Sequence, residues 1–197
     1  MWKDIREDTI FSDFIISAEI PSISVPLLEE EILDIRNTEE GEKKSNAHGF
    51  HSPTYDPSTP CNKPELTNLQ DTTIQFTNAA LQDRDFGVEM CGYQWWVNIN
   101  KQYSYNNLHH HGRCDVIGVY YVKLPKDSGS MTLMRNDGSS YTHLFSKIKG
   151  GHQLELDATP GRLYIMPGHL WHFVDVNECE EDRISISFNL FVEHKYD

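Results

Sequence analysis

Hydrophobic and polar positions change period along this chain, from a helical rhythm near the start to a two-residue rhythm near the end. Residues 13–20 are apolar and β-prone. Ser24 can then cap a helix in which Leu28, Ile32 and Ile35 recur at i, i+4 and i+7. From 37 to 63 the chain turns to Asn, Gly, Pro, Ser and charge, which predicts a long functional loop. A second helix is expected near Asn62, where Asn62 and Glu65 have capping-box spacing and Pro64 suits the first turn. It would bury Leu66, Leu69, Phe76 and Ala80 and stop before Gly87. After Gly87 short stretches rich in Val, Ile, Tyr and Phe alternate with turn signals at 125–129, 136–140, 150–151, 159–161 and 167–168. That makes about eight short strands, the count of a double-sheet jelly roll. The expected fold is mainly β with N-terminal helices, a single domain spanning 1–197. A layer formed by 1–86 would cover a jelly-roll core formed by 87–197.

Composition narrows the function classes. The chain has 197 residues and a formal charge of −13, which argues against general nucleic-acid binding because such proteins present basic surface. No apolar run approaches the ~18–20 residues of a membrane helix, and the N-terminus lacks the apolar core of a secretory signal. A cytoplasmic protein that does not enter the membrane is expected. Cys61, Cys91, Cys114 and Cys179 stand far apart, form no CxxC pair and read as reduced thiols.

The sharpest chemical feature is the run His109, His110, His111, which ends a polar loop (103–108) and precedes a strand at 116–124. Side chains at i and i+2 of an extended segment share a face, so His109 and His111 can meet on one ion while His110 points away. Imidazole suits iron, zinc and copper, although an isolated HxH is more often a solvated pair. His172 supplies a third imidazole from a strand that can return beside the one following the HxH. Three ligands from two strands leave open positions, as a catalytic metal requires. His169, on the neighbouring Pro-Gly turn, is expected to be solvated and at most to support a ligand.

Near the C-terminus, Ile184, Ile186, Phe188 and Leu190 share one strand face, and Arg183, Ser185, Ser187 and Asn189 share the other. Beside a metal, an Arg with a Ser two residues on makes a carboxylate receptor, the guanidinium fork taking both oxygens. Without a metal the polar stripe could simply face water.

Taken in order, the HxH, the segment 118–122, Pro160 to Leu163, His172 and the Arg183–Ser185 pair resemble the Fe(II)/2-oxoglutarate-dependent oxygenases. The pattern is closest to the small 2OG-Fe(II) oxygenase group of bacteria and phages. The resemblance extends through 45–52 and Trp96 to Asn98. Ten residues lie between His172 and Arg183, the usual interval between distal ligand and cosubstrate arginine in that superfamily. It implies a double-stranded β-helix, cupin-like, with Fe(II) on His109, His111 and His172. It further implies that 2-oxoglutarate is held by Arg183, Ser185 and the strand tyrosine Tyr121, and that O2 is the co-reactant. Tyr120, on the other face of its strand, reads as core. Asn98 and Arg135 are candidates for contacting a peptide or small-molecule substrate, Asn98 alternatively for a structural hydrogen bond and Arg135 for a solvated charge.

The implied reaction yields succinate and CO2 and most commonly hydroxylates a C–H bond, with no catalytic side chain beyond the metal centre. One departure stands out: the superfamily usually places Asp or Glu where this chain has His111, and Asp115 is the alternative carboxylate. A three-histidine cupin-type metalloenzyme that does not use 2-oxoglutarate, and a non-enzymatic metal-binding jelly roll, are the competing readings. Substrate recognition is expected from loops 46–61, 103–108 and 134–143.

Overall fold

A computed structural model describes residues 13–135 and 153–195. The turn signals at 136–140 and 150–151 lie outside these residues, as does most of the 134–143 loop. A short strand β1 (Ile16–Glu19) leads into helix α1 (Val25–Thr38). Two two-residue strands, β2 (Asn46–Ala47) and β3 (Phe50–His51), precede helix α2 (Pro64–Asp83). Eight further strands follow: β4 (Val88–Asn100), β5 (Tyr105–His109), β6 (Val116–Lys123), β7 (Met131–Met134), β8 (Gln153–Glu155), β9 (Arg162–Pro167), β10 (Trp171–Val174) and β11 (Arg183–His194).

The strands form two antiparallel sheets. One has six strands in the order β1-β9-β6-β11-β4-β3, the other five in the order β2-β5-β10-β7-β8. The period-2 pattern of β11 explains the layering. Ile184, Ile186, Phe188 and Leu190 pack with Leu28, Ile32 and Ile35 of α1 and Leu66 and Leu69 of α2, so the helices cover the outer face of the six-stranded sheet. A second core lies on the opposite face of that sheet: Ile117, Val119, Tyr121, Tyr164 and Met166 pack with Met131 and Leu133 of the five-stranded sheet. Strand β6 is apolar on both faces because both are covered: Tyr120 belongs to the helix side and Tyr121 to the space between sheets.

Three expectations need correction. The polar stretch 103–108 is mostly strand, since Tyr105–His109 pairs with β10 and β2; Asn and Tyr there are held by inter-strand partners that local propensity does not register. Strand β10 returns beside β5, which carries the first ligand candidate, and not beside β6, whose partners are β9 and β11. Asn62 does not cap α2. The cap residue is Lys63, and the Glu31 carboxylate of α1 accepts from the free N–H groups of Glu65 (3.0 Å) and Leu66 (2.8 Å). Glu65 in turn accepts from the Ser24 N–H at the start of α1, so each helix caps the other.

Candidate metal centre

Strands β5 and β10 run side by side with His172 opposite His109. The register then slips, Val174 facing Asn106, so that two steps on β10 match three on β5. This bulge re-aims β5 and lets both His109 and Asn106 face the gap between the sheets. His110, between the ligand candidates, turns the other way and packs on Trp171, with ring centroids 4.5 Å apart. His111 follows β5 in a turn fixed at both ends: its N–H donates to the Gly168 carbonyl (2.8 Å) and its carbonyl accepts from Cys114 N–H (2.7 Å). Gly168 is required by close approach, for a Cβ there would run into the carbonyls of Cys114 and His111.

The three imidazoles meet. Ring centroids are 4.3 Å apart for His109 and His172, and 5.2 Å for each of the other two pairs. One ring nitrogen from each lies within 4.8 Å of the others. Two bonds of about 2.1 Å span at most about 4.2 Å, so small side-chain shifts bring all three onto one cation. Each Nδ1–H is already committed to an acceptor: His109 to Asn107 O (2.7 Å), His111 to Asn189 Oδ1 (2.6 Å) and His172 to Leu170 O (2.9 Å). That pattern selects the tautomer whose Nε2 lone pair is free to bind metal.

Burial drives the imidazoles toward the neutral ligand form. It lowers the pKa of His109, pushes His111 to about 4 and His172 to about 3, each also disfavoured as a cation by its neighbours. Asp115 is exposed and accepts from Val192 N–H (3.0 Å), outside the cluster. His169 is exposed and paired with Asp13 at 2.8 Å.

The inner face of β11 continues the same cavity. Arg183, Ser185 and Ser187 line it together with His109, His111 and His172. Arg183 is 2% exposed, its Nε has no hydrogen-bond partner, and among the described residues it makes no ion pair with a carboxylate. Burial alone lowers its pKa, yet a guanidinium stays charged. Its nearest compensation is the Tyr121 ring, with Cζ 5.3 Å from the centroid. A buried cation without an anion is costly, and the cavity it lines is where an anion can enter.

The other candidates separate. Asn98 lines the cavity and donates to Ser187 Oγ at 2.9 Å, the structural hydrogen bond expected of it. Arg135 is exposed one residue beyond β7 and does not line the cavity. Sequence reasoning missed Asn189, which orients His111 and is itself held by Gln94 (3.5 Å); its place on the polar stripe of β11 was the available signal. It also missed Trp96, which lines the cavity and stacks on His111 at 5.9 Å and 17°.

Similarity to known proteins agrees with this arrangement. A family model described as "putative 2OG-Fe(II) oxygenase" matches residues 94–189, which include every candidate ligand and cosubstrate residue. No curated protein matches the sequence. Among solved structures, a Pseudomonas putida prolyl-4-hydroxylase superposes with a TM-score of 0.65 at 14% identity, covering 90% of this chain and 91% of that one. A Trichoplax adhaerens prolyl hydroxylase, in complex with a hypoxia inducible factor peptide fragment, gives 0.64 at 12% identity over 90% and 83%. The nogalamycin-biosynthesis epimerase SnoN, solved with Fe3+, alpha ketoglutarate and nogalamycin RO, gives 0.57 at 12% over 93% and 82%. At such identities the likeness establishes the fold, a double-stranded β-helix. Family match and fold agree: residues 94–189 resemble the 2OG-Fe(II) oxygenases, a family whose cofactors are Fe(II), 2-oxoglutarate and O2.

Proposed function

We propose that this oxidoreductase is a dioxygenase that hydroxylates a C–H bond of an amino-acyl or small-molecule substrate, releasing succinate and CO2. His109, His111 and His172 would hold Fe(II), Arg183 and Ser185 the distal carboxylate of 2-oxoglutarate, and Tyr121 the flank of that carboxylate. One observation carries the reading: a buried guanidinium, with no carboxylate partner among the described residues, lines the same cavity as three neutral imidazoles. A three-histidine enzyme indifferent to 2-oxoglutarate gives Arg183 no anion to hold. A closed structural site would need a fourth protein ligand, and among the described residues the cluster has three.

Bound Fe(II) would activate O2, the oxidant for both 2-oxoglutarate and substrate, while the protein supplies place and surroundings. Asn107, Asn189 and Leu170 hold the three rings in the ligating tautomer. Arg183 would hold the far carboxylate of the cosubstrate through its charged, planar fork, leaving the keto-acid end for the metal. Ile117, Val119, Met131, Met166 and Val174 supply the apolar part of the cavity wall. Amino-acyl substrates are suggested by the hydroxylases with this fold, and small molecules by SnoN.

The test is turnover. Fe(II)-loaded protein supplied with 2-oxoglutarate and O2 should form succinate, faster with an accepted substrate, whose product gains one oxygen by mass. Prolyl peptides and free amino acids are the first substrates to survey. Equal substrate oxidation with and without 2-oxoglutarate would refute the proposal.

A further inference from the structure

We propose that the segment 45–52 is a strap that positions two of the three imidazoles, His109 through Ser45 and Asn107, and His111 through His51 and Trp96. The inference rests on the metal-ligand reading above. It assigns work to a stretch of which only Ser45 lines the cavity.

The strap joins the two sheets. Its β2 half pairs with β5 of one sheet and its β3 half with β4 of the other. Asn46 closes the turn between them, donating from Nδ2 to Glu42 O (3.1 Å) and Gly49 O (3.0 Å). Gly49 lies so close to Ile99 O and Asn100 Oδ1 that a Cβ would sit 3.0 Å from each. Ser52 locks the far end by accepting from Val97 N–H at its Oγ (3.0 Å) and donating its own N–H to Val97 O (3.0 Å).

Two lines run from this strap to the rings. On the β5 side, Ser45 O accepts from both the backbone N–H (2.9 Å) and the Nδ2 (3.0 Å) of Asn107. The Asn107 carbonyl then accepts from His109 Nδ1–H. On the β4 side, His51, 3% exposed, stacks on Trp96 with centroids 5.3 Å apart and planes 13° apart. Trp96 stacks on His111 in turn, giving a column of three near-parallel rings. Asn189 grips the Nδ1 edge of the last ring, so hydrogen bond and stacking together leave His111 little freedom to rotate. His51 does not line the cavity, which makes it a positioning residue and not a substrate contact.

The test is titration of the metal-free protein with Co(II), read by the visible d–d absorption of the bound ion, in the parent, His51→Ala and His51→Phe. The alanine variant should bind about 10–100-fold more weakly, with a shifted band, because an outer support of a ligand is lost. The phenylalanine variant keeps a flat ring against Trp96 and should bind within about threefold of the parent. The metal-free phenylalanine variant should melt near the parent, and the alanine variant lower, because it loses a buried ring. Parent-like binding by His51→Ala, while His172→Ala abolishes it, would overturn the strap and leave the metal reading standing. Equal loss in both His51 variants, in step with lowered melting temperature, would also overturn it by reducing His51 to a packing residue. A parent protein that binds no Co(II) would overturn the metal reading and the strap with it.

Discussion

Arg183→Ala should weaken 2-oxoglutarate binding by at least about thirtyfold while Fe(II) affinity stays within about twofold of the parent. Removing one member of a buried, hydrogen-bonded charge pair costs about 2–5 kcal/mol, and each 1.4 kcal/mol is about tenfold in affinity. The lower figure applies if water enters the space and solvates the orphaned carboxylate. Arg183→Lys should recover only part of the loss, since an ammonium cannot match both carboxylate oxygens as the planar fork does. Arg183→Met should behave in the opposite way for stability. The parent buries this guanidinium with no carboxylate beside it among the described residues, so an apolar replacement of similar length should raise the melting temperature of the ligand-free protein. Calorimetric titration with 2-oxoglutarate and a thermal melt of the same samples check both halves. Lower affinity with higher stability is the signature of a residue kept for its ligand.

His172→Ala should weaken Fe(II) binding by at least about a hundredfold, more than the 10–100-fold typical for losing an outer hydrogen-bond partner of a ligand. His172 is the deepest of the three imidazoles, 5% exposed, and its pKa lies furthest below the ordinary histidine value, at about 3. It therefore offers its lone pair across the whole neutral range without competition from protons. His169→Ala and Asp115→Asn are the matched controls. His169 is exposed and paired with Asp13, and the Asp115 carboxylate is turned to the Val192 N–H, so both should leave the affinity unchanged. A tenfold loss in Asp115→Asn would instead return that carboxylate to the coordination sphere and displace His111 from it. Anaerobic Fe(II) titration of the three variants decides between these outcomes.

Most of the architecture and much of the site were legible in the sequence because both rest on local periods. Strand β11 alternates without a break, which is enough to send Ile184, Ile186, Phe188 and Leu190 toward the helices and Arg183 and Ser185 inward. The same reasoning places His109 and His111 on one side and His110 on the other, as found. What escaped depends on pairing between distant segments. No local signal in the 103–108 stretch says that Tyr105–His109 is a strand, because its partners are 46–47 and 172–174. The bulge opposite His172 exists only in the β5–β10 register, so the inward turn of Asn106 could not be foreseen. Contacts between distant segments hid Asn189, 78 residues from the His111 it orients, and the His51–Trp96–His111 column. Glu31 displaced Asn62 as the cap of α2 for the same reason.

The central claim is that one cavity holds both an iron-binding trio of imidazoles and a carboxylate-binding arginine. Anaerobic titration of the Fe(II)-loaded protein with 2-oxoglutarate, followed by visible absorbance, measures both at once. The account predicts a weak visible band from the iron–keto-acid chelate that saturates at one equivalent. The band should vanish in His172→Ala and require much higher 2-oxoglutarate in Arg183→Ala. Absence of the band in protein shown to contain iron, or saturation unaffected by Arg183→Ala, would contradict it.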